Sequence, residues 1–281
     1  MSVKEEVAHE FDTSSSLYAQ FTERVHSDVA QKLLEYLPKD QMTLVDIGTG
    51  NGVAAIAAAL KLESKGLVVG IDISEKMLVE AKKNLLKTSL ANVEFIAMEA
   101  SASSFRSNCA DAVLGNITLP FLLLDWNLIL REIHRILKTG GGLYFSGFQQ
   151  PSQAWMILQA CLKKHATTNP SDHLLKSRKI GAFLVDLNNG YPSWRWIGDE
   201  LRSYGFDIKL MRSETIETVY PSATICIQHF EARSSPEFNE ITSEAKSNFR
   251  REATKGLSVL ETLRGLVEER ILQLLVATKN V

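Results

Sequence analysis

Cysteine, proline, excess charge and long apolar runs are all scarce in this chain. Its three cysteines, Cys109, Cys161 and Cys226, lie far apart and form no CxxC pair. Three thiols cannot complete a disulfide framework, so the core has to hold the fold. Six histidines are scattered without HxxxH spacing, and no metal site is spelled out. Lys and Arg total 31 against 33 Asp and Glu, a net charge of −2. A protein that neutralises a phosphate backbone is normally basic, which argues against duplex DNA or RNA as the main partner. The longest apolar stretch, Val53 to Leu60, falls well short of the roughly 18 residues of a membrane span. The first residues, MSVKEEVAHEF, are charged where a secretory signal is apolar. A cytoplasmic protein without a membrane partner is expected. The composition that remains, 45% apolar and 23% charged, is ordinary for a globular protein of one large domain or a domain with a lid.

Strand and helix then alternate with short connections. TLVDIG (43–48), LVVGIDI (67–73), NVEFIAM (92–98), ADAVLGN (110–116) and GLYFSGF (142–148) read as strands. VAAIAAAL (53–60), SEKMLVEAKKNLLK (74–87) and WNLILREIHRILK (126–138) read as helices between them. The strands are apolar throughout, the mark of a parallel sheet buried on both faces in an α/β fold. Ahead of them, Thr13 to Ser16 offer N-caps for a helix to about Leu37, giving an N-terminal helical cap over residues 1–38. The main domain is expected over 39–281, with a lid insertion at about 150–191 and a helical insertion at about 220–268. Between these, residues 193–206 read as a helix and DIKLMRS (207–213) as a sixth strand. SATICIQHF (222–230) suits either a strand or a helix. Phe238 to Phe249 and Leu257 to Val267 keep helical spacing, and ILQLLVATK (271–279) is placed as the last strand.

The densest chemical signal is LVDIGTGNG (44–52), between a strand and a helix at the carboxyl end of the sheet. Ligands of open α/β sheets bind there, and glycines let the backbone approach closely. A dinucleotide loop needs its third glycine at position 53, where Val53 stands, and a phosphate loop needs a lysine that is missing. Asp46 at the strand tip disfavours a pyrophosphate and favours a ligand with a positive ammonium and sulfonium, as S-adenosylmethionine (SAM) has. The alternative is that Asp46 only braces the glycine loop. Asp72 ends the second strand in GIDIS (70–74), where an acid accepts hydrogen bonds from an adenosine ribose. Ile73 follows it and joins the candidate set. After the third strand, Glu99 can accept from an adenine amino group and the Ala100 amide can donate to the ring. Asn116 ends the fourth strand and is placed facing the crevice.

LVDIGTGNG, GIDIS, AMEASASSF, ADAVLGN and LREIHRILKTGGGLYFS together resemble, in order and spacing, the motifs of class I SAM-dependent methyltransferases. The resemblance covers roughly residues 40–148. It implies a Rossmann-like, doubly wound seven-stranded sheet with an antiparallel last strand and helical lid elements. It also implies that Gly48, Gly50 and Gly52 cradle the methionine moiety, Asp72 holds the ribose, and Glu99 with Ala100 frames the adenine. Thr49, Glu99 and Thr139 stand where the family more often has Cys, Asp and Pro. Residues 11–38, NITLPF and YPSATICIQHFEA are similar to segments of malonyl-acyl-carrier-protein O-methyltransferases.

These readings point to methyl transfer from SAM to a small-molecule or acyl-carrier-protein-bound acceptor. An NAD(P)-linked oxidoreductase and a non-catalytic SAM-binding protein are the alternatives. Phe11, Tyr18 and Phe21 can wall the cofactor, with the Tyr18 hydroxyl near its carboxylate. No general base stands out; His165, His173 and Tyr191 fall in the expected lid. Lys163 to Lys179 form a basic cluster that suits either an acidic carrier or a solvated surface.

Overall fold

A computed structural model describes Asp12 and residues 24–40, 42–63, 65–122, 125–149, 151–179 and 193–280. The helix at residues 24–34 (α1) leads into β1 (Thr43–Ile47), α2 (Val53–Leu62), β2 (Leu67–Asp72), α3 (Glu75–Leu85), β3 (Val93–Ala97) and β4 (Ala110–Asn116). A short helix α4 (Leu119–Leu122), then α5 (Trp126–Ile136) and β5 (Leu137–Phe148), complete this half. There follow α6 (Gln153–His165), a helix at 172–179 (α7), α8 (Trp194–Ser203) and β6 (Phe206–Tyr220). The chain closes with α9 (Ala223–Arg233), α10 (Ser235–Glu240), α11 (Ser243–Leu257), β7 (Glu261–Thr262) and β8 (Gly265–Lys279).

The sheet order is β3-β2-β1-β4-β5-β8-β6, with the two-residue β7 paired to β8. The first five strands are parallel, and β8 runs antiparallel to β5, with Phe145 opposite Leu275. The expected Rossmann-like sheet with an antiparallel last long strand is therefore observed, with β7 as an eighth, minor strand. Strand order reverses between β1 and β4, so the loops leaving those two strands flank the switch point where such sheets bind ligands.

The chain divides into two compact units. One holds residues 22–148, 192–214 and 272–281. Its core places Val45, Ile47, Val69, Ile71 and Val113 of the sheet with Leu130, Ile133 and Ile136 of α5 and Leu201 of α8. The rings of Trp126 and Trp196 lie 6.3 Å apart and Trp194 packs on the same core, while Trp196 keeps an exposed face. Lys279 donates to the carbonyls of His134 and Leu137 and closes the carboxyl end of α5, where a cation suits the helix dipole.

The other unit holds residues 1–21, 149–191 and 215–271. Phe230, Phe238 and Phe249 form its aromatic centre, with Leu158, Ala253 and Leu257 around them. Residues 222–230, open between strand and helix in the sequence, start α9, because Ser222 caps it by accepting from the Ile225 amide. The helical spacing through Leu263 and Val267 fails. Helix α11 stops at Leu257, Leu263 is fully exposed in a turn, and Gly265 at φ 111° turns the chain into β8. Strand β8 thus begins six residues before the expected Ile271, and β6 extends to Tyr220, seven residues past the expected Ser213.

Candidate functional site

The site is built at the carboxyl ends of β1, β2 and β4. After Ile47 the chain takes three left-handed glycines, Gly48 at φ 63°, Gly50 at 56° and Gly52 at 80°. Side chains other than glycine rarely adopt this backbone, which is why the motif repeats the residue at every second position. Space makes Gly48 stricter still, since a Cβ there would lie 2.1 Å from Thr118 Oγ1. The Thr49 amide donates to the Ile71 carbonyl at 2.9 Å, tying the loop to β2. Gly52 then begins α2, accepting from the Ile56 amide.

Two carboxylates brace this loop in different ways. Asp72 Oδ2 accepts from the Gly50 amide at 2.8 Å, and its Oδ1 accepts from the Ser74 amide at 2.9 Å. Asp72 does not cap α3, because the Ser74 hydroxyl does so through the Met77 amide. Asp72 thus ties the glycine bend to the start of α3 through its two oxygens. Asp46 is only 1% exposed and accepts from the Thr49 hydroxyl at 2.6 Å. Burial pushes its carboxyl up to about 7; the Thr49 hydrogen bond works against this and the Asp72 charge adds to it.

The Thr49 hydrogen bond is the contact that the bracing alternative for Asp46 calls for. Burial thus disfavours its charged form, and the side chain holds Thr49 within the bend. Thr49, standing where the family more often has Cys, supplies the hydroxyl that bonds to Asp46. Gly70, opposite Asp46 in β2, leaves room for it: a Cβ there would lie 2.7 Å from Thr49 Oγ1.

The remaining candidates are distributed around the same strand ends. Ile73 is 39% exposed beside Asp72. Glu99 Oε1 accepts from both the amide and the hydroxyl of Ser101, capping the short 3-10 helix at Ala100–Ala102. Ala100 is half-buried against the sheet core. Asn116 donates from Nδ2 to the His26 carbonyl at 3.0 Å and accepts at Oδ1 from the Ser146 hydroxyl at 2.8 Å. Tyr18, Phe11, Phe21 and Tyr191 lie outside the described residues. Two contributors were missed in the sequence, Thr118 against Gly48 and the fully buried Ser146. A lone Thr or Ser inside an apolar stretch carries no spacing signal, so nothing marked either.

The loop offers a fit for a SAM-sized ligand on two counts. Glycines at 48 and 50 keep side chains out of the bend, and the amide Nδ2 of Asn51, 3% exposed, has no hydrogen-bond partner among the described residues. A buried donor without a partner costs about 1–3 kcal/mol and favours a ligand acceptor. No group of three or more His, Cys, Asp or Glu able to hold a metal occurs among the described residues.

Residues 38–188, more than half of the chain, match the family described as "Methyltransferase domain". Aklanonic acid methyltransferase DauC of Streptomyces sp. (strain C5) is 33% identical over 146 residues, 52% of this chain and 66% of that protein. Malonyl-[acyl-carrier protein] O-methyltransferase of Marinomonas sp. (strain MWYL1) is 29% identical over 164 residues, 56% of this chain and 59% of that protein. The matched region thus spans less than two thirds of either relative's length. The fold is similar to that of phosphoethanolamine N-methyltransferase 2 of Haemonchus contortus, solved with SAM, at a TM-score of 0.59 and 18% identity, covering 100% of this chain and 60% of that one. Glycine loop, sheet order and family match agree: the chain belongs to the methyltransferase-domain family, among the class I SAM-dependent methyltransferases.

Proposed function

We propose that this protein transfers a methyl group from SAM to a small-molecule acceptor by in-line displacement. The observation that carries this reading is the Gly48–Gly52 bend held to β2 through Gly50 and Asp72. Gly48, Gly50 and Gly52 would receive the methionine end, Asp72 the ribose, and the region of Ile73, Glu99 and Ala100 the adenine. When bound, SAM supplies an electrophilic methyl group on a sulfonium. The protein's part is to hold that group in line with the acceptor and exclude water, and orientation of this kind supplies roughly 7–11 kcal/mol in favourable cases. A carboxylate acceptor needs no base, whereas a phenol or ammonium does.

An acyl-carrier-bound acceptor is the finer alternative, supported by the Marinomonas relative's name and by the basic cluster. Part of that cluster is already engaged, which favours a small molecule. Lys164 and His165 face Glu252 at 3.1 and 3.2 Å, and Arg178 grips Glu237 at 2.7 and 2.9 Å. Lys163, Lys176 and Lys179 are exposed. Among the described residues no helix is long and apolar enough to cross a membrane.

Asp72→Ala is expected to weaken SAM binding by about 1.5–3 kcal/mol, the worth of hydrogen bonds to a charged acceptor. Calorimetric titration measures it, and an unchanged affinity would refute the ribose role. Incubation with methyl-labelled SAM and two acceptor sets, small aromatic or carboxylic acids and malonyl-loaded carrier protein, identifies the class. Label passing only to the carrier-bound acid would replace the small-molecule reading with the alternative.

A further inference from the structure

The bend after β4 joins three parts of the sheet-bearing unit through consecutive residues. Asn116 reaches α1 through the His26 carbonyl. Ile117 takes φ 58°, a left-handed backbone that is an outlier for a β-branched side chain. Thr118, 7% exposed, lies directly against Gly48 of the cofactor loop. Ser146 of β5, with no exposed surface, organises all of this. Its hydroxyl donates to Asn116 Oδ1 at 2.8 Å, and both its hydroxyl and its carbonyl accept from the Ile117 amide at 3.1 Å.

Strain of this kind persists only where surrounding contacts enforce it, and it gathers at functional sites. The His26 carbonyl fixes which end of the Asn116 amide is which, because a carbonyl only accepts and so faces Nδ2. That leaves Oδ1 to accept from the Ser146 hydroxyl, which holds the amide in place. The amide is therefore engaged at both ends by protein groups, one on α1 and one on β5.

We infer that Asn116 is a positioning residue: oriented by Ser146, it latches α1 to the end of β4, and the same bend seats Thr118 against the cofactor loop, so docking of α1 and affinity for SAM are coupled. The inference rests on the proposed SAM function and assigns Asn116 a role in it through α1.

The test pairs hydrogen exchange with SAM binding in the full chain. Asn116→Asp keeps the acceptor for Ser146 and removes the donor to His26. Amide exchange in residues 24–34 is expected to quicken about tenfold, with β1 and β2 unchanged, as fits loss of one buried hydrogen bond. The SAM dissociation constant is expected to rise by a similar factor, with KM for SAM following it while kcat changes less than about twofold. Ser146→Ala, a smaller change that frees the amide to rotate, is expected to show the same pair of effects more weakly. Weakened SAM binding with unchanged exchange in 24–34 would make Asn116 a direct cofactor contact and overturn the latch. Faster exchange with unchanged SAM affinity would overturn the coupling. A wild-type protein that binds no SAM would defeat the cofactor reading itself, and the exchange comparison would still decide whether Asn116 holds the helix.

Discussion

Gly48→Ala is expected to abolish SAM binding and to destabilise the fold by about 2–5 kcal/mol. Two costs combine. A left-handed backbone costs an ordinary residue about 1–2 kcal/mol. The added Cβ would also fall 2.1 Å from Thr118 Oγ1 and 3.0 Å from its Cβ, and overpacking of a filled site costs about 1–3 kcal/mol. Thr118 is 7% exposed at the strained end of β4 and has little room to step aside. Gly140 is the natural control, because it shares a positive φ of 76° but a Cβ there meets nothing within 4 Å. Gly140→Ala is expected to cost only the backbone component and to leave SAM affinity unchanged. Urea unfolding and calorimetry read both variants. Equal costs at the two positions, or retained SAM binding in Gly48→Ala, would contradict the close approach on which the cradle depends.

The second large effect lies in pH. Asp46 is raised from 3.8 to about 7 in the folded protein, with burial the leading cause. The native state therefore holds a proton that the unfolded chain has released between about pH 4 and 7. Its contribution to stability is complete below the lower value and is lost as pH rises through the upper one. Roughly three pH units at about 1.4 kcal/mol each set a ceiling of about 4 kcal/mol. Asp46→Asn resembles the protonated acid and offers Thr49 an acceptor at all pH values. The variant is expected to match the wild type near pH 4 and to exceed it increasingly toward pH 8. Urea midpoints across that range test this, and a gap that does not widen with pH would mean that Asp46 titrates as an ordinary surface acid.

The architecture was legible because periodicity and punctuation agreed along residues 43–148. Apolar strands, a glycine stop after the first and an amphipathic α5 each pointed to one arrangement. The last strand was legible in position but not in length. Its first residues, Leu266 to Arg270, hold two glutamates and an arginine, whose polarity hides the alternating burial that the strand gives them. At the site, the glycines and Asp72 were legible because they stand at fixed places after strands. The protonation of Asp46 was not, since it arises from burial between β2 and β4, opposite Gly70 and Leu114. Nor was the employment of Asn116, whose partners lie 90 and 30 positions away. Contacts at such separation are made by topology, and local spacing does not encode them.

The central claim is that the bend at 48–52, with Asp72 beside it, receives an adenosyl sulfonium and not a dinucleotide. Calorimetric titration of the wild-type protein with SAM and, separately, with NAD tests it most directly. The account predicts one SAM site with a dissociation constant on the order of micromolar and no heat from NAD. Micromolar binding of NAD with none of SAM would contradict it.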